Sequence, residues 1–229
     1  MHTVVAINGS PRMERGDTAR ILESFTQGMT DAGADVSLFY ASRLKVKPCQ
    51  CGEMLCWSKH LGECCIKDDM EQLYAALRDA DTCILATPVY IPLPGDMQNV
   101  INRLCPLINP VLERRDGRTR ARLHDEVRFR RIALVATGGW WERENLDTVV
   151  RIARELAEDA SVAFAGAVLR PHAFLMWRKG DLTEAGQAVM SQVRAAGHQL
   201  VEHGVMSADT LEAISRPLIA EDEFRRRFQ

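Results

Sequence analysis

The chain has 229 residues, 46% of them hydrophobic and 26% charged, with a formal net charge of −2. That apolar content excludes a disordered chain, 15 Gly and 9 Pro without a period exclude a collagen-like one, and near-neutral charge removes the electrostatic case for nucleic-acid binding. The length suits one large domain on a single core, no apolar run approaches the ~20 residues of a membrane helix, and the first residues lack the charged and apolar pattern of an export signal; the expected setting is cytoplasmic, with no membrane and no nucleic-acid partner.

Thr3 to Asn8 is a short, β-branched apolar run without polar alternation, which suits a strand buried on both faces of a parallel sheet. It breaks at Gly9-Ser10-Pro11-Arg12. After Asp17-Thr18, the apolar residues Ile21, Leu22, Phe25 and Met29 recur at helical spacing, and Gly33 marks a stop. Val36 to Tyr40 reads as a second strand, followed by an insertion over positions 45–68. Met70, Leu73, Tyr74 and Leu77 make a helical stripe behind Asp68-Asp69, whose carboxylates favour a helix N-terminus. Thr82 to Thr87 is a third strand ending at Pro88, and Met97, Val100, Ile101 and Leu104 form the next helical stripe.

From Glu113 to Arg131 the chain holds eight Arg against four acids, a composition that reads as a solvated excursion. Ile132 to Thr137 is a fourth strand, and Leu146, Val149, Val150, Ala153 and Leu156 face one way on the following helix. Val162 to Leu169 gives a fifth strand; Ala188, Val189, Val193, Ala196 and Leu200 mark a last long helix. Residues 207–229 read as a C-terminal arm, draped over the surface or packed on a neighbouring subunit.

Five buried-type strands separated by helices call for an α/β, doubly wound parallel sheet with helices on both faces. Such sheets bind ligands at the carboxyl ends of their strands, so the loops after the first, third and fourth strands carry the functional weight. The first of these runs from a buried strand into a helix, whose free N–H groups and positive dipole end suit a phosphate. Ser10 and Thr18 add hydroxyls and Arg12 a charged fork. Neither the Gly-x-Gly-x-x-Gly dinucleotide fingerprint nor the Walker pattern is present. On the loop alone, an ordinary turn capped by Thr18 is the alternative.

Val5-Ala6-Ile7-Asn8-Gly9-Ser10-Pro11-Arg12, followed by Gly16-Asp17-Thr18-Ala19, resembles the FMN-phosphate loop of the NADPH-dependent FMN reductase and iron–sulfur flavoprotein group of the flavodoxin-like superfamily. The resemblance continues at Cys64-Cys65-Ile66-Lys67-Asp68-Asp69-Met70, at Thr87-Pro88-Val89-Tyr90, at Met97 to Leu104 and at Thr137-Gly138-Gly139. It implies a flavodoxin-like five-stranded parallel sheet in the order 2-1-3-4-5, within an FMN-binding domain over residues 1–206. By the same resemblance Ser10, Arg12, Asp17 and Thr18 would hold the FMN phosphate, with Pro11 and Ala19 also among the cofactor-binding residues. Asp17 departs from the Asn more usual there, and a carboxylate beside a phosphate is unfavourable unless it serves only the helix end.

Pro88, Val89, Tyr90 and Ile91 would border the isoalloxazine ring, which needs an apolar wall and backbone N–H groups where negative charge gathers on reduction. Thr137, Gly138 and Gly139 would line its other side, the glycines allowing close backbone approach. Trp140 and Trp141 read equally as a flavin shield or as a contact with another subunit. His172 reads as a surface or capping residue.

Seven cysteines occur in the chain and five of them, Cys49, Cys51, Cys56, Cys64 and Cys65, fall within 17 residues where average usage would give about half of one. An odd, clustered set argues against a secreted disulfide scaffold and for thiols kept reduced. Four thiolates close together suit an iron–sulfur cluster or zinc, and the two Cys-x-x-Cys pairs usual for cytosolic zinc are absent. The resemblance implies a [4Fe–4S] cluster on Cys49, Cys51, Cys56 and Cys64, with Cys65 spare. Cys56 and Cys64 match the last two positions of the family run, whereas Cys49-x-Cys51 and the four residues before Cys56 replace its two regular gaps. The alternative is a loop of free or oxidation-prone thiols, of which the adjacent Cys64 and Cys65 could form a strained disulfide. Cys83 and Cys105 read as small core residues.

The functional expectation is an NAD(P)H oxidoreductase that uses FMN to pass electrons to a quinone, flavin or similar acceptor, with no side chain acting as acid or base. The rival expectation is an electron carrier relaying between a cluster, FMN and a redox protein partner. The resembled group implies a homodimer or homotetramer.

Overall fold

The computed structural model describes residues 1–229. Along the chain run β1 (His2–Asn8), α1 (Asp17–Asp31), β2 (Ala34–Tyr40), α2 (Leu55–Ser58), α3 (Met70–Asp79), β3 (Thr82–Pro88) and α4 (Gly95–Asn102). They are followed by β4 (Ile108–Arg115), β5 (Arg118–Leu123), β6 (Arg131–Thr137), α5 (Asp147–Ala160), β7 (Ala163–Arg170), β8 (Trp177–Arg178), β9 (Asp181–Leu182), α6 (Glu184–His203), α7 (Ala208–Ser215) and α8 (Glu221–Arg226).

The five apolar runs form one sheet in the order β2-β1-β3-β6-β7, parallel throughout. This is the doubly wound, flavodoxin-like arrangement expected from the sequence, and its strand order reverses between β1 and β3. Alternate side chains divide the core into two layers. Val5, Ile7, Cys83, Leu85, Leu134 and Ala136 pack towards α3, α4 and α5. Val4, Ala6, Ile84, Ala86, Ala133 and Val135 pack towards α1 and α6. Burial on both faces is why these strands read as continuous apolar runs. Helices α1 and α6 meet at glycines: a Cβ on Gly28 would lie 1.9 Å from the Arg194 carbonyl oxygen, and one on Gly197 1.9 Å from that of Phe25.

Two regions depart from the sequence expectation. Residues 113–131 are largely ordered rather than a solvated excursion: β4 and β5 pair as an antiparallel hairpin lying on α5. Arg120, nearly buried, reaches Asp159 Oδ1 at 2.8 Å, Glu158 Oε2 at 2.9 Å and Glu155 Oε2 at 3.0 Å, while Ala121, Leu123, Val127 and Phe129 join the core. Arg118 and Arg120 answer an acidic helix face, while Arg114, Arg122, Arg128 and Arg130 stay exposed as expected. The C-terminal arm likewise folds into α7 and α8 and docks on the loop after β7. No helix is long and apolar enough to cross a membrane.

Candidate functional site

The carboxyl ends of the central strands come level with one another. Gly9 N–H donates to the Ala86 carbonyl at 2.8 Å, Val89 N–H to Thr137 at 2.8 Å, and Gly138 N–H to Arg170 at 3.0 Å. The loops leaving β1, β3, β6 and β7 therefore share one rim, and between them lies a cavity of about 400 Å³, within the usual size range of ligand pockets.

Ten of the residues singled out in the sequence line this cavity: Ser10, Arg12, Asp17, Thr18, Pro88, Val89, Tyr90, Thr137, Gly138 and Gly139. Pro11 is exposed beside it, Ala19 is buried in α1, and Ile91 points fully into solvent; these three do not line it. Gly16, Ala173 and Phe174 do, and were not anticipated. Gly16 sits where a Cβ would come 2.8 Å from Ser10 Oγ, so the tight loop leaves no room for a side chain there.

The loop organises itself before any ligand arrives. Asn8 Oδ1 accepts from Ser10 N–H at 2.8 Å, and Ser10 Oγ accepts from Arg12 N–H at 3.3 Å. No side chain caps α1, whose N-cap is Gly16, so N–H groups of its first turn remain free for an anion. Thr18 and Thr137 share a hydroxyl hydrogen bond of 2.7 Å, joining the loop to the end of β6. Burial pushes the Asp17 carboxyl above its ordinary range, although Arg20 and Arg12 pull the other way. A Cβ on Gly139 would meet nothing within 4 Å, leaving open space at the cavity wall.

The far wall depends on the C-terminal arm. His172, in the left-handed region at φ +37°, donates its N–H to the Trp140 carbonyl at 2.9 Å, and Ala173 N–H reaches Gly138 at 3.1 Å. His172 is buried, contrary to a surface position, and stands at the N-cap of the 3₁₀ turn Ala173–Met176 without a side-chain capping bond. Its Nε2 accepts from Leu218 N–H at 3.1 Å and lies 3.0 Å from Arg170 Nη2. Burial and the Arg170 charge bring the imidazole down to about 4, so it is neutral. Arg170, also buried, holds the arm through the carbonyls of Ile214 (2.5 Å) and Arg216 (2.9 Å). Trp141 Nε1 donates to the Ile219 carbonyl at 2.9 Å; its role is to fasten the arm, while Trp140 stays exposed.

The cysteine loop follows the carboxyl end of β2. Its base is pinned by Arg103 and Asp68, with side chains 1% and 3% exposed and Nη1 to Oδ2 at 2.8 Å. Arg103 also donates to the carbonyls of Lys47 (2.8 Å) and Ile66 (3.2 Å), and the Asp68 carboxylate accepts from the N–H groups of Lys47 and Met70. Burial alone would raise the Asp68 carboxyl, but these partners bring it below its ordinary value.

Above the base the loop has one short helix, α2, which carries Cys56. All seven cysteines are free, Cys64 and Cys65 included, so the adjacent disulfide is absent. Cys83 is buried in the sheet as expected, but Cys105 is not a core residue: it is half-buried, and Trp57 Nε1 donates to its carbonyl at 3.0 Å. Burial, then charge on Cys105 and Cys51, pushes the Cys56 thiol up to about 11. Burial, then charge on Cys49, raises Cys105. Six thiols thus share one region and the right donor chemistry for a thiophilic metal group, while no three His, Cys, Asp or Glu side chains stand in a metal-holding arrangement.

A family model described as NADPH-dependent FMN reductase matches residues 2–151. An iron–sulfur flavoprotein of Archaeoglobus fulgidus is 34% identical over 104 residues, which cover 44% of this chain and 45% of that protein. Another from the same organism is 41% identical over 88 residues, covering 38% of this chain and 42% of its own. The chain therefore matches less than half the length of these curated relatives. Among solved structures, an NAD(P)H:quinone oxidoreductase from Methanothermobacter marburgensis is similar with a TM-score of 0.60 at 15% identity, covering 87% of this chain and 98% of that one, a likeness of fold.

Proposed function

The chain belongs to the NADPH-dependent FMN reductase family, and from that premise we propose that it holds FMN in the cavity at the sheet's carboxyl edge and oxidises NAD(P)H in favour of a quinone, flavin or similar small acceptor. The observation that carries this reading is the meeting of an uncapped helix N-terminus, Arg12 and the ends of β3 and β6 around one cavity. Bound FMN would supply the hydride-accepting atom and the release of electrons.

The chain's own residues bind, orient and shield. Arg12 and the free N–H groups of α1 neutralise the phosphate, and the Thr18–Thr137 hydrogen bond keeps that loop in register with β6. Pro88 and Val89 form an apolar wall, Gly139 leaves room for a flat ring, and Tyr90 and Phe174 border the mouth. No ionisable side chain is needed for proton transfer, and Asp17 is a poor neighbour for the phosphate unless it is protonated. Titration with FMN should quench flavin fluorescence to saturation, and NADPH or NADH should then bleach the bound flavin anaerobically. Absence of flavin binding would overturn the assignment; binding without bleaching would remove the reductase and leave a flavin carrier.

The gathered thiols, with the archaeal relatives, favour a second reading in which the cysteine loop holds an iron–sulfur cluster and the protein carries electrons between cluster, FMN and a protein partner. Iron and sulfide per chain in anaerobically prepared protein decide it. The exposed apolar residues Tyr90, Ile91 and Trp140 beside the cavity support assembly as a homodimer or homotetramer in a cytoplasmic setting, which light scattering tests for the assembly.

A further inference from the structure

Glu221 to Phe228 read Glu-Asp-Glu-Phe-Arg-Arg-Arg-Phe, three acids and three arginines around two phenylalanines spaced four apart. Each acid pairs with the arginine four positions on: Glu221 with Arg225, Asp222 with Arg226 at 2.8 Å and Glu223 with Arg227 at 2.7 Å. Such pairs support a short helix from its outer side, and acids at its start with arginines at its end suit its dipole. The same spacing puts Phe224 and Phe228 together on one face.

That face lies on the cavity wall. Phe224 is 4% exposed, and its ring centroid stands 5.1 Å from that of Phe228, 5.9 Å from His172 and 6.2 Å from Phe174. Phe228 meets Phe174 edge-on, also at 6.2 Å. The arm reaches this place because Arg170 holds the Ile214 and Arg216 carbonyls, Leu218 N–H donates to His172 and Trp141 donates to the Ile219 carbonyl. Phe174 is therefore gripped by two rings of the arm, yet it stays 40% exposed and lines the cavity together with Gly138 and Gly139. A ring fixed in place before anything meets it loses little rotamer freedom on contact, and its natural partner is another flat ring. The family match ends at residue 151, so the arm and its grip on Phe174 lie beyond the matched region.

We propose that Phe174, positioned by Phe224 and Phe228 of the C-terminal arm, forms the subsite for the electron acceptor and selects planar aromatic acceptors by stacking. Phe174 touches the acceptor; Phe224 and Phe228 act through it as positioning residues. The phosphate end of the cavity, at Arg12 and the start of α1, takes no part. This inference rests on the reading that the cavity holds FMN and serves a small acceptor.

The test is equilibrium binding of menadione, a flat quinone, to the oxidised, FMN-loaded protein without reductant, so that nothing turns over, followed by the change in flavin absorbance. FMN affinity is measured separately by fluorescence quenching. Phe174→Ala should weaken menadione binding about fivefold, the scale of one aromatic pair, and Phe174→Tyr should restore it. Phe228→Ala, 63% exposed and outside the cavity, should weaken menadione roughly twofold or more with FMN affinity as in the native chain. Ferricyanide, a one-electron acceptor without a flat face, should reoxidise the photoreduced native chain and Phe228→Ala at equal rates, two ions per flavin. Unchanged menadione affinity in Phe174→Ala would overturn the subsite, and unchanged affinity in Phe228→Ala would overturn the part of the arm. FMN weakened along with menadione in Phe228→Ala would set Phe174 against the flavin instead and refute the proposal. Ferricyanide slowed as much as menadione is weakened would remove the selection for planar acceptors. A native chain that binds no FMN would overturn the cofactor reading and the proposal with it.

Discussion

The cavity and the cysteine loop both follow carboxyl ends of strands in the same sheet, yet they are built by opposite means. Every wall of the cavity is fixed by the fold: its loops leave strands that are hydrogen-bonded to one another, and the Thr18–Thr137 bond ties the start of α1 to the end of β6. The loop is fixed at its base by Arg103 and Asp68 and along its span by single contacts, Trp57 on the Cys105 carbonyl and Arg78 on the Gly62 carbonyl. The first site is preorganised, so ligand affinity there should depend on single contacts. The second has its donors at hand without having gathered them, so binding and ordering should be coupled there.

The sharpest way to break this contrast is to cut the loop's base. Arg103→Ala leaves the Asp68 carboxylate buried without its partner, and removal of one member of a buried pair costs roughly 3–5 kcal/mol. Urea unfolding should show that loss; an unchanged midpoint would mean the base is not an anchor. The same pair makes a pH prediction. Asp68 is held below its ordinary value, so its stabilisation is fully present above the unfolded carboxylate pKa and is lost as pH falls through the lower folded one.

Next in size is the phosphate contact. Arg12→Ala removes a charged hydrogen-bonding partner worth about 1.5–3 kcal/mol, which corresponds to roughly 10–100-fold weaker FMN binding. Calorimetry should find this loss with stability unaltered, since Arg12 is exposed on a loop.

A smaller effect of opposite sign is expected at Asp17. Burial raises its pKa, so the proton it carries at low pH leaves as pH rises through that raised value, and a second negative charge then faces the phosphate. FMN affinity of the native chain should fall over that range. Asp17→Asn should flatten the pH dependence and tighten binding several-fold above it, about 1 kcal/mol for one partly solvated charge pair. Equal affinity of the two proteins across pH would place the carboxylate away from the phosphate.

The least effect belongs to the loop's outermost thiol. Cys65 is exposed, so Cys65→Ser should change stability by less than about 0.5 kcal/mol, and a larger shift in urea unfolding would show that the loop is packed more firmly than its few contacts suggest.

How far each region was legible follows from how local its causes are. Buried parallel strands carry their signal in a few consecutive residues, so Thr3 to Asn8 or Ile132 to Thr137 can be placed unaided, and the loops that leave them place Ser10, Arg12, Pro88 and Thr137 on one rim. Gly16 was within reach, as a glycine in a loop too tight for a side chain. Phe174 was not, because its place in the cavity depends on the C-terminal arm some forty residues on, whose carbonyls hold Arg170 and whose Leu218 N–H donates to His172. The hairpin of β4 and β5 misled for a related reason: the charges of Arg118 and Arg120 look solvated until the acidic face of α5 is set against them.

By itself the sequence determined the sheet, its winding and the family, since periodicity, turn residues and short motifs act over a few positions. It also determined that thiols are concentrated after β2. Only the tertiary structure decided where the remaining thiol near them stands: Cys105 lies forty residues beyond the loop, in a segment whose local pattern is that of a core, and the Trp57 indole on its carbonyl ties its turn to α2. Burial and proximity are properties of the assembled chain, and a residue's chemistry follows from them as much as from its identity.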